Sequence, residues 1–155
     1  MNAQRAKFPH LVAGAGCVVA AKNIRIELKR AFPSVKFSVR SDKFAGGDAV
    51  NVDWTDGPTV AQVDEILEKY KAGSFDGMTD CYEYRNHVWG DAFGDAKFIS
   101  TSRSFSDEFI LSVLANFTGT IDGEPFPSLD DYRKGRHEMA GYRMVRLALV
   151  DTARI

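Results

Sequence analysis

Val35-Lys36-Phe37-Ser38-Val39-Arg40, followed after Gly46-Gly47 by Val50-Asn51-Val52-Asp53-Trp54-Thr55, decides the fold class of this 155-residue chain. Successive side chains of a strand point to opposite faces. Phe37, Val39, Val50, Val52 and Trp54 therefore share one face, and Lys36, Ser38, Arg40, Asn51 and Asp53 the other. Two alternating runs joined through a glycine pair predict a β-hairpin with one face on a core and the other in water.

On the N-terminal side, Ala21, Ile24, Leu28, Ala31 and Phe32 recur at helical spacing, with Lys22, Arg25, Lys29 and Arg30 between them. This predicts a helix over residues 20–32, ended by Pro33. On the other side, Asp56-Gly57-Pro58 forces a turn, and Thr59 with Gln62 forms a capping box for a helix through about residue 71. Its buried stripe is Val60, Val63, Ile66, Leu67 and Tyr70. Residues 74–80 read as loop, 81–89 as a short strand or an irregular aromatic segment, and 90–95 as loop again. A third strand is expected over 96–101, then a helix capped by Ser104 or Ser106 with Phe109, Ile110, Val113, Leu114 and Phe117 on its apolar side. Residues 119–127 read as loop, Ser128-Leu129-Asp130-Asp131 opens a short helix, and 142–150 is a last strand or a helix.

These elements predict an α+β fold: a two-layer sandwich in which the hairpin and additional strands form a small, mainly antiparallel sheet packed by three helices. The expected organisation is an N-terminal arm (1–18), an α+β core domain (19–117) and a C-terminal extension (118–155) packed on the core. With 45% hydrophobic and 26% charged residues the chain is long enough to bury a core. Its 12% aromatic content and scattered glycines and prolines exclude collagen, low complexity and wholesale disorder.

Arg5 and Lys7 before the apolar stretch 11–21 imitate a signal peptide, but Pro9 and His10 interrupt it and a charged helix follows where a cleavage site belongs. No run approaches the ~20 apolar residues of a membrane span. The expectation is a cytoplasmic protein with no membrane partner, in keeping with only two cysteines, Cys17 and Cys81.

Catalytic parts are present without a recognisable arrangement. Cys81 and His87, with Asp80 and Glu83 nearby, offer a nucleophile, a base and an orienting acid, but a thiol and an imidazole six residues apart fit no defensible geometry. A metal set of Cys81, His87 and Glu83 or Asp91 lacks the paired ligands at short spacing that zinc recruits, and His10 and His137 stand alone. Gly14-Ala15-Gly16 before a helix resembles a phosphate nest, yet Val19 stands where the dinucleotide fingerprint needs its third glycine and no Gly-Lys-Ser/Thr follows. The expectation is no enzyme, no cofactor and no metal.

The formal net charge of -1 conceals a segregation along the chain. Residues 1–50 carry nine basic groups against three acids, residues 51–131 sixteen acids against five basic groups, and residues 132–155 six basic groups against two acids. A body with one basic and one acidic side steers association toward charged partners. On the basic side, Lys22, Arg25, Lys29, Lys36, Arg40 and Lys43 are the candidate nucleic-acid contacts of a basic helix and hairpin. On the acidic side, Asp64, Glu65, Glu68, Asp76, Asp80 and Glu83 are candidates for engaging a basic groove of another protein in place of phosphates. Tyr82, Tyr84 and Trp89 are the candidate aromatic anchors of such an interface.

The runs Ala21-Lys22-Asn23-Ile24-Arg25, Leu28-Lys29-Arg30-Ala31-Phe32-Pro33, Val35 to Ser41, Gly46-Gly47 and Val50 to Thr59, continued by Ser74-Phe75-Asp76-Gly77-Met78 and Gly94-Asp95-Ala96-Lys97, form a recognisable set. Over about residues 19–115 the chain resembles the large polyvalent protein associated domain 29. The resemblance implies a protein of phages and conjugative plasmids, and it carries over no catalytic residue. The expected function is that of a non-enzymatic accessory protein that binds and inhibits a host defence complex, such as a CRISPR or restriction system, as a nucleic-acid mimic. The alternative is a small nucleic-acid-binding accessory domain that uses the basic hairpin and helix.

Overall fold

The computed structural model describes residues 2–85, 88–116, 120–121, 124–125, 128–134 and 140–155. The chain is α+β and divides into two compact units, Met1–Trp54 with Val60–Ser102, and Thr55–Thr59 with Arg103–Ile155.

The first unit is built on α2 (Cys17–Ala31) and the hairpin of β1 (Ser38–Phe44) and β2 (Gly47–Thr55). The hairpin is antiparallel, with Val39 opposite Val52 and Phe44 opposite Gly47, and β5 (Phe98–Ser104) adds to β2, giving the order β1-β2-β5. Ala45 and Gly46 make the turn, where Gly46 takes φ 111, a conformation that costs a residue without Cβ little. Val39, Val50, Val52 and Trp54 are buried as the alternation requires. Phe37 is half-buried with its ring 5.6 Å from that of Trp54. The strand begins at Ser38, later than expected, because the Val35 N–H bonds back to the Phe32 carbonyl at 3.1 Å after Pro33 and keeps residues 33–35 in a turn.

α3 (Val60–Leu67) passes into a 3-10 turn (Glu68–Tyr70), with Val63, Leu67 and Tyr70 buried from the expected stripe. These residues and Ile24 and Leu28 of α2 join the core beneath the sheet, each large aliphatic side chain contributing about 1.5–3 kcal/mol on burial. Two further helices were not expected: α1 (Asn2–Lys7) and α4 (Val88–Phe93), whose surroundings supply Phe8, Leu11, Trp89, Ala92 and Phe93 to the same core. Asn23, wholly buried in α2, ties them in: its Oδ1 accepts the Val12 N–H at 2.7 Å, and its Nδ2 donates to the Val12 and Phe93 carbonyls at 2.8 Å each. The stretch expected as loop over 74–80 contains β3 (Gly73–Asp76), antiparallel to β4 (Cys81–Tyr84) with Phe75 opposite Tyr82.

The second unit holds α5 (Asp107–Leu114), a short pairing of β6 (Thr120–Ile121) with β7 (Glu124–Pro125), α6 (Leu129–Lys134) and α7 (Ala140–Asp151). Of the two candidate caps Ser106 is used, its hydroxyl accepting the Phe109 N–H at 3.2 Å. Phe109, Ile110, Val113 and Leu114 pack with Val145 and Leu149 of α7, so the last segment is a helix. Phe117 lies outside the described residues. The described residues thus contain seven α-helices: the three expected to pack the sheet, the short helix expected from Ser128, the last segment resolved as a helix, and the unexpected α1 and α4.

Candidate functional site

Three of the six predicted nucleic-acid contacts meet at one place. Lys22, Arg25 and Lys29 stand at i, i+3 and i+7 on α2, which puts them on one exposed side of the helix. The chain leaves α2 through Pro33 and returns along β1, so that Arg25, Lys29 and Lys36 line a cleft of about 390 Å3 floored by Val35 and Phe37. No carboxylate is among its lining residues. Lys22, Lys29 and Lys36 make no ion pair among the described residues, while Arg25 donates to the Val39 carbonyl and so is held against the strand. Arg40 is spent locally: on the solvent side of the hairpin its guanidinium pairs with Asp53 at 2.7 Å.

Lys43 belongs to a second cleft, of about 510 Å3, formed by the hairpin end and β4 and lined by Lys43, Phe44, Asp48, Tyr84, Arg85, Asp95 and Lys97 among others. Phe44 and Phe98 stack at 6.2 Å with 23° between planes, Phe98 meets Tyr82 at 5.7 Å, and Tyr82 meets Tyr84 at 4.7 Å. The Lys97 ammonium donates to the Gly46 carbonyl at 2.8 Å and lies over the Tyr82 and Phe98 rings at 5.2 and 5.5 Å. The Tyr82 hydroxyl donates to the Lys97 carbonyl at 2.6 Å, and partial burial, then its neighbour Tyr84, push its ionisation upward. Asp48 accepts the Lys97 N–H at 2.8 Å, and the ionisation of the Cys17 thiol is raised chiefly by burial and further by the Asp48 carboxylate.

The acidic candidates do not behave as one set. The Glu68 carboxylate accepts from Lys71 at 2.6 Å and Arg85 at 3.0 Å, and these bonds lower its pKa. Asp76 caps the β3–β4 turn by accepting the Met78 N–H at 2.9 Å and the Thr79 hydroxyl at 2.8 Å, which lowers its pKa as well. Asp64, Glu65, Asp80 and Glu83 make no ion pair among the described residues. Among the aromatic anchors Tyr84 is exposed and Tyr82 half-buried. Trp89 corrects the expectation: it is buried, its ring 5.0 Å from Phe8 and 4.8 Å from Phe93, because α4 turns it into the core. Beside it, Lys69 binds Glu27 at 2.5 Å and lies 4.7 Å from the indole centroid, and the buried Tyr70 hydroxyl donates to Glu27 at 2.5 Å, burial and that carboxylate raising its pKa.

Cys81 is exposed and Cys17 buried, while His87 and His137 lie outside the described residues. Among the described residues no cluster of His, Cys, Asp and Glu can hold a metal ion, and no helix is long and apolar enough to cross a membrane. Gly14 packs against Val19, and Gly16 takes φ 85 in open space. The Gly14 N–H bonds to the Ala92 carbonyl at 3.0 Å, and Gly94, at φ 83, sits so close that a Cβ there would come within 2.5 Å of the Ala20 nitrogen. Protein backbone thus faces the first turn of α2.

A polar knot in the second unit has no counterpart in the sequence reading. Asp56 adopts φ 55, and its carboxylate accepts the Ser106 N–H at 2.7 Å, the Ser106 hydroxyl at 2.6 Å and the Arg154 guanidinium at 3.4 Å. Arg103 donates to five carbonyls, those of Asp56, Gly57, Leu149, Val150 and Thr152, at 2.6–3.2 Å. It thereby closes the C-terminus of α7, whose last carbonyls have no helical donors. Burial lowers its pKa, and Phe105 and Phe109 flank it at 4.9 and 5.7 Å. The only local hint was Asp56-Gly57 as a turn, since its partners lie some fifty and a hundred residues away.

No curated protein and no solved structure is significantly similar to the chain. The profile of the large polyvalent protein associated domain 29 matches residues 16–106, from the residue that caps α2 to the one that caps α5, which is more than half of the chain and takes in both clefts. The chain belongs to that family, and is thereby a phage- or mobile-element-associated protein.

Proposed function

We propose that this chain is a non-enzymatic accessory protein that a mobile element uses in the cytoplasm of its bacterial host, and that it works by binding nucleic acid through the basic side of α2 and the hairpin. The observation that carries this reading is the carboxylate-free cleft of Arg25, Lys29 and Lys36, continued by Lys22 along the helix. Cations without carboxylate partners are the groups that phosphates neutralise, and each such contact releases counterions. A mobility-shift or anisotropy titration with a 20-base-pair duplex between 50 and 200 mM salt tests it. Affinity should fall steeply with salt, and a Lys22→Ala, Lys29→Ala, Lys36→Ala protein should lose at least about tenfold in affinity and about 2–3 units of the log–log salt slope. Absence of duplex and single-strand binding at 50 mM salt overturns the reading.

A second reading keeps the family context and reverses the sign: inhibition of a host defence complex, such as a CRISPR or restriction system, by carboxylates that mimic phosphates. What favours it is that Asp64, Glu65, Asp80 and Glu83 are left without ion pairs among the described residues. What weighs against it is the pairing of Glu68 with two cations. Charge reversal at Asp64 and Glu65 should abolish stoichiometric capture of a purified effector complex and leave duplex binding intact; capture unaffected by the reversal removes this reading.

A further inference from the structure

The cleft between the hairpin end and β4 differs from the basic cleft, whose ring Phe37 is half-buried, in being lined by the exposed rings of Phe44 and Tyr84. Phe44 is 48% and Tyr84 68% exposed, and outside the lining Phe98, stacked on Phe44, is 40% and Phe75 56% exposed. Tyr82 links them: it touches Phe98 and Tyr84, and Phe75 lies opposite it in the β3–β4 register, which sets their side chains on one face. Burial alone does not account for so many rings left open to water on one surface. Three cations line the same cleft. Lys43 makes no ion pair among the described residues, Lys97 is fixed over the rings by the Gly46 carbonyl, and Arg85 is steadied by Glu68. Of the two carboxylates there, Asp48 already accepts the Lys97 N–H.

We propose that this cleft seats a short stretch of single-stranded nucleic acid, with bases stacking on Tyr84 and on the Phe44–Phe98 pair and phosphates neutralised by Lys43 and Arg85. The proposal rests on the nucleic-acid reading above and narrows it to a strand type. Rings offer nothing to a duplex, whose base faces are already stacked on one another. To an unpaired base they offer a π-face, whatever the base, each stack strengthening binding by about tenfold. Fixed cations at the rim track the backbone without reading sequence. The cavity, at about 510 Å3, is of a size to take one or two bases.

Anisotropy titrations of the full chain with labelled 12-mer oligo(dT) and with a mixed-sequence 12-base-pair duplex, at 100 mM salt, test the proposal. The single strand is expected to bind about tenfold or more tightly than the duplex. Tyr84→Ala should lose about tenfold for the single strand and less than twofold for the duplex. Tyr84→Phe, which keeps the ring, should restore the single-strand affinity. Phe44→Ala is a second variant at an exposed position, expected to act in the same direction. Equal affinity for both nucleic acids, or indifference of oligo(dT) binding to both Tyr84→Ala and Phe44→Ala, overturns the proposal while leaving duplex binding by the α2 cleft standing. Failure of both nucleic acids to bind removes both readings. Loss of a protein partner on Tyr84→Ala with oligo(dT) binding unchanged assigns the rings to a protein interface and likewise overturns the proposal.

Discussion

Arg103 and Lys29 are both cations near a helix, and they differ in what surrounds them. Every N–H of the Arg103 guanidinium has a carbonyl within 3.2 Å, and Arg154 divides its guanidinium between Asp56 and Glu108. Lys22, Lys29 and Lys36 make no ion pair among the described residues, although Lys22 and Lys29 sit on the well-formed α2. A cation saturated by protein acceptors holds backbone together, and its charge is not offered outward. One whose stem lies on a rigid element and whose head meets only water keeps its charge for a ligand. The same division separates Arg40, closed on Asp53, from Lys43, three residues further along β1, which makes no ion pair among the described residues.

The comparison breaks most visibly at Arg103. Arg103→Ala should destabilise the α5–α7 unit by about 3 kcal/mol, since several carbonyls at the end of α7 lose a charged donor at once. Arg103→Lys should recover little, because an ammonium cannot reproduce the planar fork. Thermal unfolding followed by circular dichroism reads both; a midpoint within one degree of the parent contradicts the structural role given to this residue.

A smaller effect is expected at Glu68. Its pKa is lowered in the folded chain by hydrogen bonds from Lys71 and Arg85, so the unfolded carboxyl binds a proton more readily than the folded one. The resulting stabilisation is complete above the ordinary carboxyl value of 4.5 and disappears as pH falls through the lowered folded value. The groups are half exposed and screened, which limits the gain to about 0.5 kcal/mol. Glu68→Gln should therefore match the parent's stability at pH 3 and fall slightly below it at pH 7, and a difference that grows on acidification reverses the assignment.

Smallest of all is the stability change expected when Lys22, Lys29 and Lys36 become alanine together, within about 0.5 kcal/mol of the parent. That variant sharpens the contrast because its binding defect is expected to be large. A stability loss as great as that of Arg103→Ala would mean that these lysines are structural after all.

What was legible in the chain follows the range of the interactions. The hairpin was readable because alternation puts Val39, Val50, Val52 and Trp54 on one side without any knowledge of the rest, and α2 and α5 because four apolar residues at helical spacing leave little choice. The six-residue helices α1 and α4 are too short to show a period, and Trp89 looked like a surface anchor since nothing local says that Phe8 and Phe93 will close over it. Of the site, the cations of α2 were found from charge alone. The aromatic cleft was half found: Tyr82 and Tyr84 stood out, whereas Phe44 and Phe98 meet them only through the pairing of distant strands. The Asp56–Arg103–Arg154 knot was invisible for the same reason, carried as it is by partners drawn from the middle and the C-terminal end of the chain.

The unequal exposure of the two cysteines has a practical side. Cys17 is sealed in the core, and Cys81 lies open on β4, one residue before Tyr82. A thiol-directed dye will therefore attach at a single place on the strand that carries Tyr82 and Tyr84, which equips the unaltered chain with its own spectroscopic reporter of changes at that strand.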